Sequence, residues 1–235
     1  MDELWQATLA AGSMLADMDS DLTEIILLSL QVSCTAVIIA AVAGMPIGAT
    51  IALCRFPGRR WLIVLFNALM GLPPVVVGLV VYLMLSRSGP LGVLGLLFTP
   101  TAMIVAQVIL VLPIVASRTR EVLEALWQEY DEALRSLAAN WWQTLGALLW
   151  DARYMLLTAL LAGFGRAIAE VGGVMIVGGN IDHVTRVMTT TIALETSKGN
   201  VAIALGLGFV LILISLTVNA AVYGFRVLGE RTETT

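Results

Sequence analysis

The chain has 235 residues, of which 59% are hydrophobic and 13% charged, and its mean hydropathy is +0.92. A soluble domain runs at about half apolar and a quarter charged, so the apolar surface here exceeds what an ordinary core absorbs, and the solvent is a bilayer. The formal net charge of −4 is mild and argues against a nucleic-acid partner.

The amino-terminal stretch carries six acids and no Lys or Arg before Ile25. Without a basic flank, "MDELWQATLA" does not read as a cleaved leader, and residues 1–24 are expected to form an extracytoplasmic segment. Five apolar runs then suit membrane helices, at about 25–54, 61–85, 98–117, 155–178 and 201–225. The first is too long for one straight crossing, and Gly44, Pro46 and Gly48 are expected to bend it or end its membrane part. Within it, Cys34 and Cys54 stand about 30 Å apart along a straight helix, too far for a disulfide. The second run holds "GLPPVVVG". Pro73 and Pro74 remove backbone donors, so this helix must break, either at a transport route or as a packing kink.

Charge orders these spans. With the amino terminus outside, the inner segments hold Arg55, Arg59, Arg60, Arg118, Arg120, Arg135, Arg153, Arg226 and Arg231. The outer segments hold Arg87, Arg186 and Lys198. Nine against three predicts an N-out, C-in, all-α integral membrane protein made of one transmembrane domain, residues 1–235. Its longest polar region is the inner segment 118–154. There Leu123, Leu126, Tyr130, Leu134 and Leu137 recur at helical spacing, with Glu121, Glu124, Gln128, Glu132 and Arg135 on the opposite face. Asn140 is a helix stop or cap, and Trp141–Trp142 opens a second short helix ending near Asp151. Such an amphipathic elbow serves either as a docking surface for a partner protein or as a helix lying on the bilayer.

Two charges, Arg166 and Glu170, fall inside the fourth run, where an unpaired charge costs about 2.5–3.5 kcal/mol or more. Their i, i+4 spacing lets them pair on one helix face. The pair is either structural or on a translocation path. Gly163, Gly165, Gly172 and Gly173 read as close helix contacts. "GFGRAI" lacks the third glycine of a dinucleotide loop, and there is no lysine-bearing phosphate loop, so nucleotide is expected to bind elsewhere. Beyond "GGN", Thr185, Thr189, Thr190 and Thr191 with Arg186 and Lys198 make a hydroxyl-rich outer stretch. It suits contact with an oxyanion or its carrier, or else an interfacial helix with solvated threonines. His183, the single histidine, has no cluster around it, and no metal site is expected.

These motifs carry a resemblance. Residues 129–151 resemble the "EAA" loop of membrane subunits of type I ABC importers, E-A-A, three residues, Gly, nine residues, I-x-L-P. Glu132, Ala133 and Leu134 stand for E-A-A, Ala138 takes the glycine position, Trp142 falls where these loops often place Trp, and Leu148 matches the hydrophobic position. Trp150–Asp151 replaces Leu-Pro. Residues 163–200 resemble the oxyanion permeases of this class, tungstate permeases in particular, through G-R-x-I-x-E-V-G, M-x-V-G-G-N-I and T-R-x-x-T-T-x-I-A-L-E-T-x-K-G. Molybdate and sulfate permeases typically have E-F-G where Glu170-Val171-Gly172 stands.

The resemblance implies a multi-pass subunit in a prokaryotic cell membrane, in contact with lipid, that imports an oxyanion, tungstate ahead of molybdate or sulfate. It also implies a homodimer, a cytoplasmic ATPase dimer that grips the elbow, and an extracytoplasmic binding protein. The chain itself is then expected to be no enzyme and to bind no cofactor, with ATP and magnesium on the ATPase. Pro73, Pro74, Arg166, Glu170, Asn180, Thr189 and Thr190 are its candidate path residues. A gradient-driven secondary transporter or channel is the rival, but it wants internal repeats, and the two halves show none that convinces. A membrane-embedded enzyme fares worse, for no nucleophile–base pair is visible.

Overall fold

A computed structural model describes residues 20–233, and every described element is helical. In chain order the helices are α1 (Ser20–Leu53), α2 (Arg59–Met70), α3 (Pro74–Leu85), α4 (Pro100–Ser136), α5 (Trp141–Asp151), α6 (Arg153–Ile168), α7 (Gly172–Gly178), α8 (Met188–Lys198) and α9 (Val201–Glu233), with a 3-10 turn at Gly92–Leu94. Of the expected segment 1–24, residues 1–19 lie outside the described residues, as do the side chains of Arg226 and Arg231, and residues 20–24 open α1.

Three helices, α1, α4 and α9, are each long and apolar enough to cross a bilayer, and two bent pairs, α2–α3 and α5–α6, raise the number to five. At 37 residues, α4 is about 55 Å long, well beyond a hydrocarbon core of about 30 Å. It carries Pro113 in its interior and runs without interruption through the point where the third span was expected to end, residue 117. Span and elbow are thus one helix, because Leu123 and Leu126 continue its apolar stripe into a core cluster of their own.

All the core clusters draw on α4. Near one end Ala102, Met103, Ala106 and Leu110 pack against α3 and α7. In the middle, Val111 and Val115 meet α1, α6 and α9. Near the other end, Leu123 and Leu126 join Ala49 and Ala52 of α1, Leu148 of α5, and Ala152 and Leu156. The α1–α4 crossing gives Gly44 and Gly48 a packing role. α1 stays helical through Pro46 to Leu53. Its glycines serve close approach: a Cβ on Gly48 would stand 2.4 Å from the Ala116 carbonyl oxygen, and one on Gly44 3.2 Å from that of Leu112.

The double-proline break is present. α2 and α3 are bent by 101° across Gly71–Pro73, with Pro73 capping α3 and Pro74 opening it. The fourth span is corrected. It does not run as one helix from 155 to 178, because α6 ends at Ile168 and α7 begins at Gly172.

Both ends of the bundle are defined by contacts. At one, Arg59 pairs with Glu124 and donates from Nε to the Ile51 carbonyl (2.6 Å), tying the α1–α2 loop to the lower half of α4. At the other, Glu24 meets His183 (2.9 Å), and the Phe98 N–H donates to the Val177 carbonyl (3.0 Å). Arg55, Arg59, Arg60, Arg118, Arg120, Arg135 and Arg153 all belong to the first end. Both cysteines are free.

Candidate functional site

Two features stand out, a crossing of two helix breaks and an exposed elbow. At the crossing, the break after Pro73 meets the break at Ala169–Val171. A Cβ on Gly173 would stand 2.9 Å from the Pro74 carbonyl oxygen, and one on Gly78 2.7 Å from the Gly173 Cα. α3 and α7 therefore touch backbone to backbone, which only glycine allows. Gly172 likewise faces Val75, and Gly163 faces Val111, but a Cβ on Gly165 would meet open space. Three of the four glycines read as packing contacts are therefore so placed.

Glu170 lies in the break itself and is buried. Its Oε1 accepts from the Gly173 N–H (3.0 Å), satisfying one of the donors that the start of α7 leaves open. Its Oε2 faces Arg166 Nη1 at 3.7 Å. The two charges do pair, but across a helix terminus rather than along one helix face, because α6 ends between them. Burial separates their roles. Arg166 keeps about a third of its side chain exposed (35%), whereas Glu170 keeps 3%. Beside them Ser29, Ser33, Gln107 and Thr189 line a small polar cleft. Gln107 Nε2 donates to the Ala167 carbonyl (3.0 Å), and its Oε1 is buried without a partner.

The threonines are placed otherwise than expected. Thr185, Thr189, Thr190 and Thr191 are buried, neither solvated nor presenting hydroxyls outward. Thr189 donates to the Glu170 carbonyl (2.8 Å), Thr185 to that of Gly178 (2.6 Å), and Thr190 and Thr191 to that of Val187 (3.0 and 2.8 Å). In an apolar medium, hydroxyls bonded to free backbone carbonyls are the cheaper arrangement. Asn180 follows α7 in the left-handed region (φ 49°) with Oδ1 buried and unpartnered. On α8, Glu195 accepts from Lys198 (2.8 Å) and Asn200 (2.6 Å), which hold its carboxyl below the usual range.

At the elbow, α4 ends in a Schellman turn. The Ala138 N–H donates to the Arg135 carbonyl and the Ala139 N–H to that of Leu134, both at 3.0 Å. Ala138 takes the left-handed position, φ 51°, which explains why the importer pattern has glycine there. Asn140 then caps α5 in a reciprocal box with Gln143 (2.9 and 2.8 Å). The charge of Asp151, at the far end of α5, and its acceptance of a hydrogen bond push the Tyr130 phenol up. α5 packs against α4 through Leu148, then turns by 68° into α6. The tip exposes Leu137, Trp142 and Trp150 at 77%, 75% and 70%. Glu132 and Ala133 are exposed beside them, and Leu134 is half-buried.

Residues 44–231 match the family model described as "Binding-protein-dependent transport system inner membrane component". The chain belongs to this family. Among relatives, it is 39% identical over 226 residues to the tungstate uptake system permease protein TupB of Peptoclostridium acidaminophilum, covering 96% of this chain and 99% of the relative. It is 45% identical over 212 residues to a probable anion ABC transporter permease protein of Haloferax volcanii, covering 87% and 90%. It is 28% identical over 194 residues to the sulfate transport system permease protein CysW of a Synechocystis strain, covering 76% and 70%. As a permease-family chain it is a transport component of a membrane assembly, not itself an enzyme. Its family description implies an ATPase and a substrate-binding protein as partners.

The Glu170–Gly173 bond was not legible in the sequence, nor was Gly78 as the partner of Gly173. A glycine next to a buried acid, Glu170-Val171-Gly172-Gly173, was the available signal for a capped helix restart.

Proposed function

We propose that this chain is the membrane-spanning subunit of an ATP-driven importer that moves tungstate into the cytoplasm. It works as a homodimer over two ATPase subunits, beneath an extracytoplasmic binding protein. The observation that carries the substrate is likeness along 96% of the chain to a permease named for tungstate uptake. Sulfate is the second reading, favoured by the more distant sulfate permeases. The arginine-rich end faces the cytoplasm under the positive-inside rule, giving the N-out, C-in orientation.

In this reading Glu132, Ala133, Leu134, Ala138 and Trp142 form the ATPase-coupling elbow. Its exposed apolar tip, Leu137, Trp142 and Trp150, fits a groove of the partner. ATP and magnesium bind to that partner. When the ATPases close, the two elbows approach and α4 acts as the lever. One end of that helix is the elbow. Its other end, through Met103, lies against Gly178, where a Cβ would stand 3.0 Å from Met103 Cγ. A displacement at the elbow thus reaches the crossing of the two breaks through one continuous helix. Pro73 and Pro74 let α3 turn there, Glu170, Thr189 and Thr190 hold the α7 and α8 starts, and Asn180 ends α7. Arg166, the half-exposed member of its pair, tunes the potential along the path without holding the dianion fast.

Pull-down of the full chain from membranes recovers an ATPase, and Glu132→Arg releases it or uncouples ATP hydrolysis from tungstate uptake. Reconstituted chain alone carrying tungstate down its gradient would overturn the reading in favour of a secondary transporter. Titrating the cognate binding protein with tungstate, molybdate and sulfate decides the substrate. Arg166→Gln with unchanged uptake kinetics removes Arg166 from the path.

A further inference from the structure

Residues 55–60 contain three arginines, and they are not equivalent. The Arg59 guanidinium is engaged by Glu124 and the Ile51 carbonyl. Arg55 and Arg60 are exposed, and neither has an acidic partner among the described residues. Both line a surface pocket completed by Phe56, Gly58, Arg59 and Trp61. The pocket opens at the start of α2, which has no acid in its first turn and no side-chain cap at Gly58. Two arginines thus sit at the positive end of a helix dipole, an arrangement that repels itself unless an anion lies between them. Directly beside this charge α2, which packs on α4, carries an exposed apolar face. It buries no side chain, and Trp61 is 79% exposed, with Val64 and Leu65 exposed behind it.

We propose that the pocket of Arg55, Arg60 and Trp61 binds the phosphodiester headgroup of an anionic phospholipid, whose acyl chain lies along α2. Charge complementarity selects the headgroup. The apolar face selects a lipid over a free anion, which would balance the arginines yet leave Trp61 and Leu65 uncovered. Each arginine near a membrane surface favours anionic lipid by a factor of about five and a half, so losing both weakens binding about thirty-fold.

The test is native mass spectrometry of the full-length chain in non-ionic detergent, titrated with phosphatidylglycerol and phosphatidylcholine. Wild type retains phosphatidylglycerol in preference. Arg55→Gln/Arg60→Gln loses that preference by about thirty-fold, while Arg55→Lys/Arg60→Lys keeps most of it. Unchanged helical circular dichroism certifies both variants as folded. Should a misfolded Gln variant result, Trp61→Ala, which keeps both charges, still reads the acyl contact through weaker retention. Equal retention of both lipids by wild type, or unchanged preference in the folded Gln variant, overturns the proposal. So does displacement of the lipid by inorganic phosphate, which makes the occupant a small anion. Loss of the ATPase in pull-down with lipid retention intact assigns the pocket to the ATPase and overturns it as well. None of these readouts depends on which substrate is carried.

Discussion

Ala138 holds φ 51° with its side chain in solvent, so its methyl contributes strain and no packing. Replacing it with glycine is expected to stabilise the elbow by about 0.5–1 kcal/mol, read as a higher midpoint of heat denaturation in detergent. Glu170 acts through an acceptor oxygen rather than charge alone. Glu170→Ala leaves the Gly173 N–H unsatisfied in the interior and should cost about 1–3 kcal/mol. Glu170→Gln keeps an acceptor and should cost clearly less, which a paired thermal-denaturation series checks. His183 gives a pH dependence. Its hydrogen bond to Glu24, with Asp182 also near, raises its pKa above the usual 6.5. A group raised in the folded state adds stability that is full below the unfolded pKa and vanishes as pH rises through the folded one. The clasp between α1 and the 179–187 loop should therefore weaken from about pH 6.5 upward, and Glu24→Gln should flatten that dependence in a thermal series across pH 5 to 9.

At the scale of elements, the α3–α7 contact is the most sensitive to volume. A methyl at Gly78 would overlap the Gly173 backbone at 2.7–2.9 Å, and no side chain is present there to swing aside. Gly78→Ala should thus destabilise by about 1–3 kcal/mol and disturb the crossing, whereas Gly165→Ala, in open space, should be near neutral. Comparing the two in one denaturation series separates glycine as a contact from glycine as a helix residue. The elbow is the opposite case, held by local bonds. Arg135 reaches Asp131 at 2.6 Å, and Arg153 lies 4.6 Å over Trp150 and 4.5 Å over Tyr154. Its tip is accordingly free to be covered by a partner.

For the whole molecule, the elbow and the Glu24–His183 clasp stand at opposite ends of the bundle, and the N-out, C-in reading puts the elbow inside. With Cys34 and Cys54 replaced by Ser, Leu137→Cys should react with a membrane-impermeant maleimide only after the cells are permeabilised. Labelling in intact cells would reverse the orientation and, with it, the coupling role of the elbow.

Composition, periodicity and local backbone chemistry were enough to read the bilayer as solvent, the apolar runs, the double-proline break and the amphipathic elbow with its Asn140 cap. The sequence by itself did not show that α4 runs unbroken from membrane to elbow, since a hydropathy boundary at residue 117 marks where the solvent changes, not where the helix stops. Nor did it show that Arg166 and Glu170 pair across a helix end, or that the threonines after Asn180 face inward. Those were decided by tertiary structure: whether a hydroxyl or carboxylate meets solvent or a freed backbone group depends on which distant segment packs against it.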